Sequence, residues 1–424
     1  MSGSAADPPP PDRLAGVFSV SSVRQTGGTV QYIGDPLVPP AAAVEQLRPV
    51  FRQRGFDVRL EELGPEPTDS AAATSNGGAT VVGGPGVDDS STGVGGDSIT
   101  AAGGALNARP NRYALVAEPA ETDTGGVPWL NIGLLLATIA STLYVGASAW
   151  YYIPVAEDPV RVFEAWPFVV AMLGVLGIHE LGHYAAARYH GVDVTLPYFI
   201  PFPSYLGTMG AVINIRGRIP DRTALFDIGV AGPLAGLVAT TVVTVIGLSI
   251  DPITVPERVA NSDTGVVITF NYPLLFQALE ALVNTLGLGT EVGPGESVHP
   301  IVFAGWAGMF FTFLNLLPVG QLDGGHIVRS IVGQRQETVA AAVPGALFAL
   351  AGYLYFTRDP PPVGFGVWGL WVFWGLFATG LAYAGPARPT VDAALDRRRA
   401  LLGLFTFLLG LACFTPVPFE ISAV

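Results

Sequence analysis

Long apolar runs, separated by short polar segments, occupy the chain from Pro128 to its end. A helix needs ~20 apolar residues to cross a bilayer, and runs of this size recur. The pattern predicts an α-helical membrane protein with about seven transmembrane helices, at 128–153, 162–187, 223–250, 301–333, 338–357, 364–386 and 400–416. We expect the span at 301–333 to break at Pro318, because proline cannot donate a helical hydrogen bond. The segment 266–288 contains polar side chains and is predicted to be interfacial or re-entrant.

The first 127 residues follow a different, more polar pattern. Alternating positions predict strands, and an apolar face at helical spacing predicts a helix. The expected elements are a hairpin of Gly16–Val23 and Thr29–Ile33, a helix over 40–54, and strands at 56–60 and 112–116. Residues 64–108 are rich in Gly, Ser, Thr, Ala and Asp, which is typical of a disordered insertion. We therefore expect a small α/β domain over 1–127 and a transmembrane domain over 128–424, with its core at 160–335.

Composition supports a membrane protein and narrows its chemistry. Only 13% of the 424 residues are charged, whereas soluble chains carry about 25%. The net charge of −13 argues against a nucleic-acid partner, and the acidic composition without lysine is similar to that of proteins from halophilic archaea. The single cysteine, Cys413, excludes an intrachain disulfide and a multi-cysteine metal site. Residues 1–40 lack a basic segment followed by an apolar run, so no cleavable signal is expected.

The arginines predict an orientation, because cytoplasmic flanks of transmembrane helices are enriched in basic residues. With residues 1–127 in the cytoplasm, twelve arginines lie on inner flanks and three on outer flanks. The inner set is Arg109, Arg112, Arg188, Arg216, Arg218, Arg222, Arg329, Arg335, Arg388, Arg397, Arg398 and Arg399, and the outer set is Arg161, Arg258 and Arg358. We expect a multi-pass protein of the cell membrane with a cytoplasmic N-terminus and an external C-terminus.

A metal-binding pattern lies within the second predicted span. His179 and His183 are four residues apart, so both imidazoles lie on one helical face and can share a zinc ion. Glu180 between them can take a proton from water at the metal. Ionisable groups are costly in the hydrocarbon region unless they are paired or functional, which favours a catalytic site over a chance match.

A third ligand is expected from the remaining histidines or the intramembrane carboxylates. Asp323 is the strongest candidate, since it follows the break at Pro318 and precedes two glycines that permit close backbone approach. Asp227 is interpreted as a structural ion-pairing residue. His326 is expected to pack near the site rather than to bind the metal. The other two histidines, His190 and His299, flank apolar segments and are expected to be solvated.

Two separate motifs make the chain resemble the site-2 protease family of intramembrane zinc metalloproteases. They are His179-Glu180-x-x-His183, and Asn315-x-x-Pro318 followed by Leu322-Asp323-Gly324. The similarity also includes residues 207–213 and 225–236 and extends over about 160–335. Without an inserted PDZ-like domain, the chain looks most like the archaeal and plastid branch. The resemblance implies one zinc ion held by His179, His183 and Asp323, with Glu180 as the base and Asn315 stabilising the oxyanion or positioning the scissile carbonyl.

The segment 195–218 is a candidate for substrate handling. Its prolines prevent a continuous helix, and residues 208–215 favour an extended strand. One hypothesis is a membrane-dipping β-loop that binds an unwound substrate by strand addition, through Gly207, Gly210, Ala211, Val212 and Ile213. An ordinary re-entrant loop or a hairpin at the inner surface is equally compatible with the sequence. The glycines at 229, 232 and 236 are expected to let the third span pack against the zinc-binding helix.

Together these features predict an intramembrane zinc endopeptidase that cleaves membrane-anchored proteins. Two alternatives stay open from the residues: an inert membrane scaffold or chaperone that retains the fold, and a metal or proton transporter that uses the same ligands. The expected partners are the lipid bilayer and membrane-anchored substrates. A cytoplasmic protein that binds residues 1–127 is a further candidate partner, although no sequence motif identifies it.

Overall fold

The N-terminal unit covers Met1–Val127, and its described residues form four antiparallel strands, one α-helix and a short 3-10 helix at Pro11–Arg13. The computed structural model describes residues 7–26, 28–63, 112–119, 127–217, 219–260, 266–358, 364, 366–385, 387, 389–390 and 394–423. In this unit the elements are β1 (Phe18–Thr26), β2 (Thr29–Pro36), α1 (Pro40–Arg52), β3 (Phe56–Leu63) and β4 (Arg112–Pro119), with the sheet order β1-β2-β4-β3. The hairpin, helix and strands lie where the periodicity predicts them. The predicted disordered insertion at 64–108 lies outside the described residues.

Side chains from the sheet and α1 build the core of this unit. Phe18, Tyr32, Phe51 and Leu115 are fully buried in one cluster. Tyr32 and Phe51 meet edge to face with ring centroids 5.8 Å apart. The hydroxyl of Tyr32 donates to the Pro9 carbonyl at 2.5 Å, so the residues before β1 are tied to the sheet.

The second unit, Pro128–Val424, is mainly helical. Its helices are α2 (Trp129–Val145), α3 (Trp166–Tyr189), α4 (Arg222–Leu248), α5 (Glu257–Ala260), α6 (Leu274–Thr285), α7 (Pro300–Asn315), α8 (Asp323–Val332), α9 (Gln336–Thr357), α10 (Gly366–Ala384) and α11 (Arg397–Ala412). Its strands are β5 (Tyr198–Pro201), β6 (Thr208–Val212), β7 (Ile253–Thr254), β8 (Val266–Phe270), β9 (Glu296–Ser297) and β10 (Phe419–Ala423). The main core lies between α3, α4 and α7 and includes Phe168, Met172 and Trp306.

Five helical segments among the described residues are long and apolar enough to cross a membrane: Trp129–Trp150, Pro159–Tyr189, Arg222–Leu248, Asp323–Thr357 and Gly366–Ala384. The chain therefore has the character of a polytopic membrane protein, and the seven-span count stays a prediction. The expected break near Pro318 is a seven-residue non-helical segment, since α7 ends at Asn315 and α8 begins at Asp323. Gly320, at φ 54°, takes a left-handed conformation in this segment, against the Leu381 carbonyl.

Residues 266–288 do not form one helix. They contain β8, which pairs antiparallel with β10, and the helix α6 of 12 residues. A helix of this length spans about 18 Å, short of the ~30 Å hydrocarbon core. This agrees with an interfacial or re-entrant segment and brings the C-terminal strand beside residues 266–270.

Close packing of α3 against α4 depends on glycine, as the sequence predicts. A Cβ on Gly232 would lie 2.0 Å from Nε2 of His183, and one on Gly236 would lie 2.8 Å from Nδ1 of His179. In the reverse direction, a Cβ on Gly182 would lie 2.6 Å from the Ala231 carbonyl oxygen. Because Gly232 and Gly236 have no side chains, the two imidazole rings can occupy that space.

The segment between α3 and α4 forms a β-hairpin of β5 and β6, extended by a bridge between Val194 and Ile215. It lies against α2, where the side-chain amide of Asn131 donates to the Leu196 and Pro197 carbonyls at 2.9 and 3.1 Å. Thr208 is buried, and its hydroxyl donates to the Ile200 carbonyl at 3.0 Å. The extended conformation expected for residues 208–215 is therefore present.

An ionic cluster joins α11 to the start of α4. Arg399 donates from Nε and Nη2 to the two carboxylate oxygens of Asp227 at 2.8 and 3.0 Å, and from Nη1 to Asp396 at 2.7 Å. The expected ion pair of Asp227 is present, and its arginine comes from 172 residues away. His190 also contacts Asp227, at 2.9 Å, so the prediction of a solvated His190 is wrong.

His299 is also not free in solvent. It is the N-cap of α7, its Nδ1 accepts from the Ile301 amide at 3.4 Å, and Nε2 lies 3.4 Å from the Tyr151 hydroxyl. Burial lowers the pKa of His299 and raises that of Tyr151 to about 12. Both corrections have one cause: residues that flank an apolar run can still be covered by other helix ends.

Replacing Arg399 with Gln removes the charged contact between α11 and α4. Because the Arg399 side chain is 37% exposed, we expect a loss of about 1–2 kcal/mol of folding free energy. The measurement is the thermal unfolding midpoint of the purified chain in detergent. Arg397→Gln, at an exposed arginine of the same helix end, is the control and should leave the midpoint unchanged. Equal midpoints for the two variants would contradict the structural role of the cluster.

Replacing Gly232 with Ala places a methyl group where the His183 ring lies. We expect overpacking that costs about 1–3 kcal/mol and a displaced imidazole that no longer supports metal binding. Gly174→Ala, on α3 with open space around its Cβ position, is the matched control. The measurement is zinc bound per purified chain, with circular dichroism to verify helicity. Full zinc occupancy in Gly232→Ala would contradict the close approach of α3 and α4.

Candidate metal and catalytic site

Three side chains from two distant parts of the chain converge between α3 and α8. Nε2 of His179 lies 3.1 Å from Oδ2 of Asp323, and Nε2 of His183 lies 3.1 Å from Oδ1. The two Nε2 atoms are themselves 3.1 Å apart. All three side chains are largely buried, with 8% of each imidazole and 13% of the carboxylate exposed. His179 and His183 are four residues apart and therefore lie on one face of α3. Asp323, the first residue of α8, completes the cluster opposite that face.

A backbone contact orients the second imidazole. Nδ1 of His183 donates to the Ile228 carbonyl on α4 at 2.7 Å. A neutral ring that carries its proton on Nδ1 presents the lone pair of Nε2 to a metal, and such supporting contacts raise the affinity of histidine ligands. The α3–α4 packing therefore sets the ring that faces Asp323.

The donor set fits a zinc ion. One ligand atom from each of His179, His183 and Asp323 lies within 4.8 Å of the other two. Two imidazole nitrogens and one carboxylate oxygen are a ligand set of catalytic zinc sites, in which the fourth position is left open. Acceptor atoms that face each other in a buried site repel unless a cation or a proton lies between them. The cluster is thus suited to one divalent cation.

Glu180 lies beside the cluster and contacts the β-hairpin. It is 8% exposed and follows His179 on α3. The backbone amide of Ile213 faces its carboxylate. This contact brings the residue that ends the candidate loop 207–213 next to the only glutamate in the metal motif.

Asn315 is the last residue of α7, where the helix stops before the non-helical segment. Its Nδ2 lies 3.3 Å from Nε2 of His179, so the amide lies at the edge of the three-residue cluster. The helix end and the start of α8 thereby hold Asn315 and Asp323 on the same side of α3.

The other loop residues lie elsewhere. Gly207, at φ 73°, faces the backbone of α2, because a Cβ there would lie 2.5 Å from the Thr142 Cα. Gly210 has φ 117° within β6, Ala211 is buried, and Val212 is about half exposed. Of the five residues predicted to bind substrate, Ile213 is the one with a described contact to the catalytic motif.

Two further residues line the neighbourhood of the site. Nε2 of His326 donates to the Gln321 carbonyl at 3.0 Å, and the His326 Cβ lies against Gly229. This agrees with the expected packing role of His326. The sequence did not point to Gln321 or to the Ile228 carbonyl, because a glutamine in a loop and a backbone acceptor belong to no recognisable sequence pattern.

Comparison with known proteins agrees with this geometry. A family model described as Peptidase family M50 matches residues 167–353, which include nearly all of α3, all of α4, α7 and α8, and the five polar residues of the site. The chain is 31% identical over 301 residues to "Probable zinc metalloprotease EGY1, chloroplastic" of Arabidopsis thaliana, covering 66% of this chain and 51% of that protein.

Two other plant proteins are similar to the chain. The EGY1 protein of Oryza sativa subsp. japonica, also called a probable zinc metalloprotease, is 33% identical over 59% of this chain and 40% of its own length. The Arabidopsis "Probable zinc metallopeptidase EGY3, chloroplastic" is 25% identical over 68% of this chain and 48% of its own length. The chain spans about half the length of the curated relatives it matches. By the family match and these relatives, residues 167–353 of the chain are similar to the site-2 protease family, peptidase family M50.

Proposed function

We propose that the chain is an intramembrane zinc endopeptidase that hydrolyses peptide bonds in or near the transmembrane segments of membrane-anchored proteins. The observation that carries the proposal is the convergence of His179, His183 and Asp323 beside Glu180, within helices apolar enough for a membrane. A transporter would need the ligands but not a glutamate held beside them. An inert scaffold would need neither.

His179, His183 and Asp323 would hold one zinc ion. When bound, zinc supplies a Lewis acid that polarises a carbonyl oxygen and lowers the pKa of water. The residues that remain do the proton and charge handling. The burial of Glu180 limits its contact with bulk water, which strengthens its electrostatic contacts in the site.

Glu180 acts as the general base. Its carboxylate takes a proton from the attacking water and returns it to the nitrogen of the departing amine. Helix α3 positions the base, and the backbone amide of Ile213 in the hairpin faces its carboxylate.

Asn315 stabilises the charge that develops on the carbonyl oxygen. Its side-chain amide is a neutral donor at the edge of the cluster, 3.3 Å from Nε2 of His179. A donor fixed before the reaction lowers the barrier more than mobile water, because it needs no reorganisation. Asn315 therefore shares the role of orienting the scissile carbonyl.

A substrate strand can pair with the hairpin at its free edge. Asn214 faces the partner strand, since its carbonyl accepts from the Thr195 amide at 3.0 Å and its own amide donates to the Thr195 hydroxyl at 3.0 Å. Because strand residues alternate in direction, the backbone groups of Ile213 and Ile215 point away from that partner. The Ile213 amide already reaches Glu180, so a chain added along this edge passes the base.

We further propose a multi-pass location in the cell membrane, with residues 1–127 in the cytoplasm and the C-terminus outside. The arginine distribution supports this orientation. The pairing of β10 with β8 is consistent with it, because both strands fall on the predicted outer side. Residues 1–127 remain available to a cytoplasmic partner.

Replacing Glu180 with Gln keeps the side-chain shape and removes the base. We expect normal zinc content and a fall in kcat of about 10²- to 10⁴-fold, the usual contribution of general base catalysis. Cleavage of a single-span reporter and metal analysis of the purified chain provide the measurements. Asp323→Asn is the complementary variant and should lose zinc together with activity. Wild-type cleavage by Glu180→Gln would refute the assigned mechanism.

Replacing Val212 with Pro tests the strand edge. Proline distorts an extended strand, so we expect slower reporter cleavage with zinc content unchanged. Val212→Ala, at the same half-exposed position, keeps the backbone amide and should cleave like the wild type. If the proline variant also cleaves at the wild-type rate, strand addition along 211–213 is not the mode of substrate binding.

A further inference from the structure

A cavity of about 460 Å³ opens beside the catalytic residues and has no role in the chemistry described above. One wall is the end of the hairpin, and Gln321 and His326 lie opposite it. The described lining residues are Ile213, Asn214, Ile215, Gly217, Ile219, Gln321, His326 and Ala387. Its size falls within the ~300–1,000 Å³ of typical ligand sites. The cavity adjoins the proposed reaction site, because Ile213 faces Glu180 and Gln321 lies two residues before Asp323.

Hydrogen bonds and packing contacts hold the backbone of both cavity walls in place. The backbone carbonyl and the backbone amide of Asn214 both hydrogen-bond to Thr195. On the other wall, the Gln321 carbonyl accepts from His326, whose Cβ is packed against Gly229 of α4. The backbone on each side of the cavity is therefore fixed, and two exposed carboxamide side chains, Asn214 and Gln321, are attached to it.

The chemistry of the lining suits an uncharged polypeptide. Among its described residues there is no carboxylate, lysine or arginine, and His326 is its single titratable group. A carboxamide has one acceptor and two donors, so it can match the C=O and N–H of a peptide unit. An extended chain leaves half of its backbone groups unpaired when it joins one strand edge, and these groups face the opposite wall.

We propose that the cavity receives the extended part of the substrate that runs from the reacting bond past Ile213 toward Ile219, and that the Gln321 amide hydrogen-bonds to its backbone. This inference rests on the proposed endopeptidase function. It makes Gln321 a positioning residue: it holds the substrate chain against the free edge of the hairpin and touches none of the reacting atoms.

The role predicts a particular kinetic signature. Gln321 lies two residues before Asp323 but contributes no side-chain atom to the metal cluster, so its loss should leave the zinc site intact. A contact made equally in the bound substrate and in the transition state changes KM and leaves kcat constant. A mutation that merely disturbed the Asp323 loop would instead lower zinc content and kcat together.

The experiment compares four full-length proteins in detergent with one single-span reporter: wild type, Gln321→Ala, Gln321→Met and Gln334→Ala. Met retains most of the side-chain volume without the amide, and Gln334 is an exposed glutamine outside the cavity. We expect both Gln321 variants to raise KM about five- to tenfold, the effect of losing about one hydrogen bond. Their kcat and zinc content should match the wild type, and Gln334→Ala should match it in every respect.

An unchanged KM in Gln321→Met overturns the positioning role, as does a fall in kcat at constant KM, which would indicate a path for water. Loss of zinc in both Gln321 variants also overturns it, because it would identify a structural support of Asp323. If the wild type binds zinc but cleaves no single-span reporter, the proposed function itself fails. The two failures are thus distinguishable.

Discussion

Three buried acceptor groups converge in the membrane unit, where they repel one another unless a cation or a proton lies between them. Nε2 of His179, Nε2 of His183 and the carboxylate of Asp323 are mutually about 3 Å apart within apolar helices. Such groups repel in a low-dielectric environment, and their desolvation is costly. A shared metal ion offsets both effects. The close helix packing and the helix break around the site follow from the need to bring these atoms together.

Two departures from regular packing satisfy that need. Gly232 and Gly236 let α4 approach α3 so closely that the imidazoles occupy the space where side chains would lie. The break between Asn315 and Asp323 then turns the chain, so that an amide from the end of α7 and a carboxylate from the start of α8 face the same helix. A continuous helix over these residues would rotate the two side chains by about 100° per residue and separate them along the axis.

The hairpin approaches the proposed base through its backbone. The amide of Ile213 faces Glu180, and this placement does not depend on the identity of the Ile213 side chain. Such contacts cannot be found from residue types alone. The same limit explains the errors at the helix ends: His190 was expected in solvent, yet Asp227 from α4 lies 2.9 Å from its ring and Arg399 from α11 completes the cluster. Long-range pairing of this kind is set by tertiary packing and leaves no periodic signal.

The local chemistry of this protein can be predicted from residue types and their spacing. The spacing of His179 and His183, the glutamate between them, the aspartate after a helix-breaking segment and the apolar periods all act over short distances along the chain. The tertiary structure assigns the partners that no local pattern predicts, the Ile228 carbonyl for His183 and Arg399 for Asp227, and it brings the expected Asp323 to the two histidines. The physical reason is that hydrogen bonds and ion pairs depend on distances in space, whereas residue periodicity reports only the face on which each side chain lies.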